Sequence, residues 1–206
     1  ELTGRMLNYV AQDIRAWLDA GIPFQHVGIN VTTGDFQRGD LAERIQDIFA
    51  RQNVSLSHVV LEVNESVFMG DSDQTVPRAV EALREQGLLV ALDDFGTGYA
   101  SLTHLLSFPV DIIKIDRSFV ERLGVDQPSG VVTRAILDIA RQLDMRVVAE
   151  GIETGQQADI LARYGCQMGQ GYLYSRPVPA QDVTPMLQLF GQKPDLPRRA
   201  SAGASG

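Results

Sequence analysis

Six short apolar runs, each followed by an amphipathic stretch, constrain this chain more than any other feature. The runs are Val27–Val31, Val59–Val63, Leu88–Asp93, Val110–Ile115, Arg146–Glu150 and a weaker one at Gln167–Leu173. Between them the apolar period changes to three and four residues, as in Leu41, Ile45, Ile48 and Phe49, then Val76, Val80 and Leu83, then Val131 to Leu143. An opening pattern from Leu2 to Leu18 predicts one further helix, ending near Gly21 and Pro23. The runs are nearly continuous rather than alternating, as expected when helices cover both faces of a parallel sheet. The chain is therefore an α/β protein.

The polar residues at the ends of these runs favour a barrel over an open sheet. Asn30, Glu62, Asp93 with Asp94, Lys114 with Asp116, Glu150 and Gln170 each close one run. An open sheet gathers its ligand groups at one switch point, whereas a (β/α)8 barrel gathers them from many strand ends around one mouth. A closed barrel takes eight strands and about 250 residues. With about six βα units in a chain of 206 residues, the expected fold is a TIM-like (β/α)8 barrel, incomplete at its N-terminus. The domain is expected over residues 1–190. Residues 191–206, rich in Pro, Ser, Ala and Gly, are expected to form a disordered tail.

Composition narrows the chemistry. Eighteen basic against 26 acidic residues give a net charge of −8, which argues against electrostatic capture of DNA or an anionic membrane. No apolar run approaches the roughly 18 residues of a membrane span. The single cysteine, Cys166, has no internal partner and suits a reducing cytoplasm. The three histidines, His26, His58 and His104, share no zinc-ligand spacing.

A ring of Asn30, Glu62, Asp93, Asp94 and Glu150 at one mouth must be neutralised by protons or by cations, and hard oxygen donors suit Mg²⁺, Mn²⁺ or Ca²⁺. The adjacent Asp93-Asp94 pair suits a two-ion centre, which in turn suits phosphate chemistry. Lys114 could hold a nucleophilic water or offset phosphoryl charge. Each piece alone has a plainer explanation: an Asp-Asp before glycine is ordinarily a turn or cap, and single strand-end charges are ordinarily solvated. Their shared placement carries the argument.

The segments around these residues resemble the EAL-domain cyclic di-GMP phosphodiesterases over residues 1 to 187. Asp93-Asp94-Phe95-Gly96-Thr97-Gly98-Tyr99 with Ala100-Ser101-Leu102 is similar to that family's Asp-Asp-Phe-Gly-Thr-Gly-Tyr-Ser-Ser-Leu loop. Lys114-Ile115-Asp116, Glu150-Gly151-Ile152-Glu153 and Gln170 to Pro177 resemble its Lys-Ile-Asp, Glu-Gly-Val-Glu and Gln-Gly-Tyr-Leu-Phe-Ser-Arg-Pro segments, in the same order.

The resemblance implies metal ligands at Asn30, Glu62, Asp93, Asp94 and Glu150, with Asp93 bridging. It implies Lys114 positioning the attacking water, Asp116 supporting the centre and Glu65 anchoring the Asp-Asp loop. Gln170 and Glu153 would line the substrate pocket. The implied reaction is Mg²⁺- or Mn²⁺-dependent hydrolysis of cyclic di-GMP to linear 5′-pGpG, inhibited by Ca²⁺. The resemblance also implies a homodimer, an upstream sensory or GGDEF domain and a cytoplasmic location, whether free or attached to a membrane-anchored parent. Thr32 and Asn64 stand where the family commonly has Ser and Thr. The family's Glu-Ala-Leu-Leu-Arg strand has no counterpart, so it is expected upstream of residue 1, and the metal site of the chain as written is expected to be incomplete. A catalytically inactive cyclic di-GMP receptor or partner-binding module is the competing reading; degenerate receptors of this kind lose members of the Asp-Asp, Lys or Glu set, all of which remain here.

Overall fold

The structure, a computed structural model, describes residues 2–68, 75–96, 105–106 and 108–191. Helix α1 (Leu2–Asp19) leads to β1 (Val27–Val31), the short α2 (Thr33–Phe36), α3 (Leu41–Arg51), β2 (Val59–Asn64), the short α4 (Glu65–Phe68) and α5 (Thr75–Arg84). Then follow β3 (Leu89–Phe95), β4 (Ile112–Ile115), α6 (Arg117–Val120), α7 (Gln127–Gln142), β5 (Arg146–Ala149), α8 (Gly155–Tyr164), β6 (Met168–Gly169) and α9 (Ala180–Gly191). Gly191 closes α9. The expected tail from residue 192 onward lies outside the described residues.

All six strands pair in parallel, each with its neighbour in sequence, in the order β1-β2-β3-β4-β5-β6. This order separates the two architectures. A doubly wound sheet reverses direction at a switch point, whereas a strand order that only advances is the winding of a barrel wall. The protein is a partial TIM-like barrel, and among the described residues no pairing joins β1 to β6.

Strand side chains alternate between two faces, and the two faces bury different cores. One face carries Ile29, Val31, Leu61, Val63, Val90, Leu92, Ile113 and Ile115, which pack with Leu7, Ile14, Phe49, Val80, Leu83 and Ile136 of the helices. The other face carries a small separate cluster of Val60, Ala91 and Ile112, with Leu89 and Val148 against it. The first cluster is the helix-to-sheet core and the second fills the barrel interior.

The helices obey their end signals. Asp126 caps α7 by accepting from Ser129 N at 2.8 Å. Thr154 and Gln157 form a capping box on α8, which stops at Gly165 in the left-handed region at φ 88. Helix α7 buries Thr133, Ile136, Leu137 and Ala140. Val131 and Val132, part of the apolar pattern read from the sequence, are 60% and 38% exposed and lie outside that buried stripe. At the opposite end of the strands from the polar ring, Asp111 accepts from Arg84 Nη2 at 2.7 Å, Arg84 Nε at 3.2 Å and Val90 N at 2.9 Å, tying α5 to the start of β4.

Candidate metal and phosphodiester centre

Glu62, Asp93 and Lys114 share the inner face with Val60, Ala91 and Ile112, each two residues further along its strand. Glu150 follows directly after β5. The apolar layer thus floors a charged layer at the C-terminal ends of the strands.

Lys114 is the hub of that layer. Its Nζ lies 2.6 Å from Glu62 Oε2, 2.8 Å from Glu150 Oε1 and 3.0 Å from Asp93 Oδ1. An ammonium has three N–H donors, and the three carboxylates match that number. The Lys114 side chain is 6% exposed, against 15%, 18% and 17% for Glu62, Asp93 and Glu150. Burial alone would lower the pKa of the amine. The hydrogen bonds to Glu150 and Glu62 and the charges of Glu62 and Asp93 outweigh it, holding the Lys114 pKa above its ordinary value. Glu150 moves upward: its burial and the charges of Asp93 and Glu62 exceed the opposing pull of Lys114. One ammonium does not neutralise the ring.

The Asp93-Asp94 pair depends on an irregularity. In a regular strand, adjacent side chains point to opposite faces. Here the β3–β4 register shifts between Leu92 and Phe95, and Asp94 adopts a left-handed backbone at φ 54, which Asp tolerates better than most residues. Asp94 N donates to Asp93 Oδ1 at 3.0 Å. As a result Asp93, Asp94 and Glu150 each offer an oxygen within 4.8 Å of the others. The Asp94 carboxyl is pushed up by burial and by the charges of Asp93 and Asp116, despite Lys114. Hard donors this close, two of them with their pKa pushed upward by burial and like charge, fit a divalent cation.

The remaining expected site residues take varied places. Asn30 is exposed at the end of β1 and pairs in register with Glu62. Glu65 opens α4 and is 7% exposed. Asp116 hydrogen-bonds with Asp94 and caps α6, accepting from Ser118 N at 3.0 Å. The Gln170 main chain bridges the rim, donating to Ala149 O at 2.8 Å and accepting from Ile152 N at 3.0 Å. Glu153 is exposed, and its N–H donates to Gln157 Oε1 at 2.8 Å. Thr97 to His104 lie outside the described residues. Glu62, Asp93, Asp94, Lys114, Asp116 and Glu150 therefore converge on one centre. The close approach of Gly28 to Glu62 was not read from the sequence, and a glycine inside an apolar run was the available signal.

A barrel wall with an acidic mouth at its C-terminal edge defines the class: a TIM-like fold that gathers carboxylates able to hold a divalent ion where such barrels carry their active sites. The chain belongs to the EAL-domain family, whose description matches residues 1–177. It is 35% identical over 178 residues to the bifunctional diguanylate cyclase/cyclic di-GMP phosphodiesterase MucR of Pseudomonas aeruginosa, covering 86% of this chain and 26% of that protein. It is 40% identical over 155 residues to the cyclic di-GMP phosphodiesterase PdeL of Escherichia coli, covering 75% of this chain and 42% of that one. The P. aeruginosa MucR phosphodiesterase, solved with cyclic di-GMP, superposes with a TM-score of 0.82 at 35% identity, over 88% of this chain and 73% of that one. The chain spans about a quarter of the length of the first curated relatives it matches, 26% and 24%. Among the described residues no helix is long and apolar enough to cross a membrane.

Proposed function

We propose that this chain is the phosphodiesterase domain of a signalling protein, hydrolysing one phosphodiester bond of cyclic di-GMP to linear 5′-pGpG. The observation that carries this reading is the contact of one buried ammonium, Lys114, with three carboxylates, one of them Asp93 of the Asp93-Asp94 pair. The relatives named as cyclic di-GMP phosphodiesterases support it. Asn30, Glu62, Asp93, Asp94 and Glu150 would hold two Mg²⁺ or Mn²⁺ ions. When bound, these would neutralise the ring and withdraw charge from the phosphoryl oxygens. Ca²⁺, with its longer bonds and looser geometry, would inhibit by occupying the same oxygens.

The chain's own groups supply orientation. Once cations take over the Glu62, Asp93 and Glu150 oxygens that now hold its three N–H groups, Lys114 would turn an N–H toward the attacking water or the phosphoryl oxygen. Asp116 holds Asp94, Glu65 anchors the Asp-Asp loop, and Gln170 and Glu153 line the approach of the dinucleotide. The water oxygen bonds to phosphorus as the P–O3′ bond breaks. One water proton ends on O3′, and the phosphate remains on the 5′ side. A homodimer, an upstream sensory or GGDEF domain and a cytoplasmic setting complete the proposal, the last because the substrate is an intracellular messenger.

A receptor without turnover is the alternative, and the intact Lys114 and Asp93-Asp94 set favours the enzyme. The test is hydrolysis of cyclic di-GMP with Mn²⁺, using this chain and one extended upstream, alongside Asp93→Asn. Turnover that is lost in the variant is expected; binding without turnover in the extended form would make the protein a receptor.

A further inference from the structure

Gly28 lies in β1 two residues before Asn30, so its absent side chain belongs to the inner face. Its backbone is outside the left-handed region, so conformation alone does not require glycine there. Glycine inside a strand costs stability, and it often marks a site where another group comes close. Here that group is Glu62. A Cβ at position 28 would overlap Glu62 Oε1 and stand 2.9 Å from its Cδ and 3.6 Å from its Cγ; the three nearest atoms all belong to that one side chain. Glu62 is not free to swing aside without loss, because its other oxygen, Oε2, sits 2.6 Å from Lys114 Nζ.

We infer that Gly28 is a positioning residue: its bare Cα seats the Glu62 carboxylate, letting Glu62 reach from β2 to Lys114 and to the metal centre. This inference rests on the reading of Glu62 as a cation ligand in the proposed function. Any side chain at 28 would push Glu62 toward the mouth and detach it from the ammonium.

Two effects of Gly28→Ala oppose each other, which makes the test decisive. By strand propensity alone the substitution stabilises. By displacement of Glu62 it destabilises. Gly155, the first residue of α8, has nothing within 4 Å of the place an alanine methyl would take and no left-handed backbone, so Gly155→Ala reports the unfolded-state entropy effect of Gly→Ala without a clash. The experiment measures Tm in EDTA, then Mn²⁺ affinity by calorimetry, for the wild type, Gly28→Ala, Gly155→Ala, Glu62→Asp and the double variant Gly28→Ala with Glu62→Asp. We expect a lower Tm and about tenfold weaker Mn²⁺ binding in Gly28→Ala, the loss typical of disturbing a ligand's support. Glu62→Asp, one methylene shorter, should recover Tm when combined with Gly28→Ala while lowering it on its own. An unchanged or raised Tm in Gly28→Ala, or no recovery by the shorter acid, overturns the inference. If the Tm pattern holds while the wild type binds no Mn²⁺, the seat stands and the proposed metal function falls.

Discussion

Replacing Lys114 by methionine keeps most of the buried stem and deletes the ammonium, its charge and its N–H donors together. Three carboxylates then face one another with no counter-ion, where wild type has contacts of 2.6, 2.8 and 3.0 Å. Deleting one partner of a buried pair costs about 3–5 kcal/mol. Because the acids keep 15–18% exposure and can take up protons, the lower end applies, about 3 kcal/mol at pH 8 without metal. The sign with pH follows from proton binding. Burial already raises the folded pKa of Glu150, and losing the ammonium removes the group that pulls it down, so the folded state binds more protons and its stability falls as pH rises. The deficit against wild type should therefore be largest at pH 8 and shrink toward pH 5. In wild type the raised Lys114 pKa keeps the ammonium charged throughout that window. The assay is urea unfolding in EDTA followed by the fluorescence of Trp17, the single tryptophan. Mn²⁺ should restore the variant more than it stabilises wild type, since it replaces the missing cation. A deficit under about 1 kcal/mol at pH 8, or one independent of pH, would refute the idea that Lys114 partly offsets the charge of the ring.

Asp94→Asn should raise Tm in EDTA, because it removes a carboxyl crowded by Asp93 and Asp116, and the amide tolerates φ 54; the same variant should lose the Tm gain that Mn²⁺ gives the wild type. Asp111→Ala should cost about 2 kcal/mol in chemical denaturation by stranding Val90 N and leaving Arg84 with Glu81 alone. Its turnover per folded molecule should be unchanged, since Asp111 sits at the far end of β4 from the acidic ring.

Period and residue type made much of the fold legible. The run Val27–Val31 reproduces β1, and the apolar spacing of Leu41, Ile45 and Phe49 reproduces the buried face of α3. Helix α8 escaped because its first turn is Gly-Gln-Gln, and α9 because Pro185 interrupts its interior. The last run shrinks to Met168–Gly169, since Gly169 and Gly171 pack against Ile152 and leave little strand to pair. The acidic ring was legible because its members end their strands. Its internal wiring was not: Glu62 and Lys114 are 52 residues apart, and nothing in a sequence reports the register shift or the left-handed Asp94.

The strictly advancing strand order has a consequence for synthesis. A ribosome delivers Glu62 first, then Asp93, and only then Lys114, which follows Glu62 by 52 residues. At about 5–20 residues per second, the nascent chain carries Glu62 for about 3–10 seconds, and Asp93 for about 1–4 seconds, before their counter-ion emerges. Glu150 arrives later still. The wall can grow strand by strand from its N-terminal edge, but its charge balance is settled late, so a free divalent ion could shield the early acids before Lys114 takes its place among them.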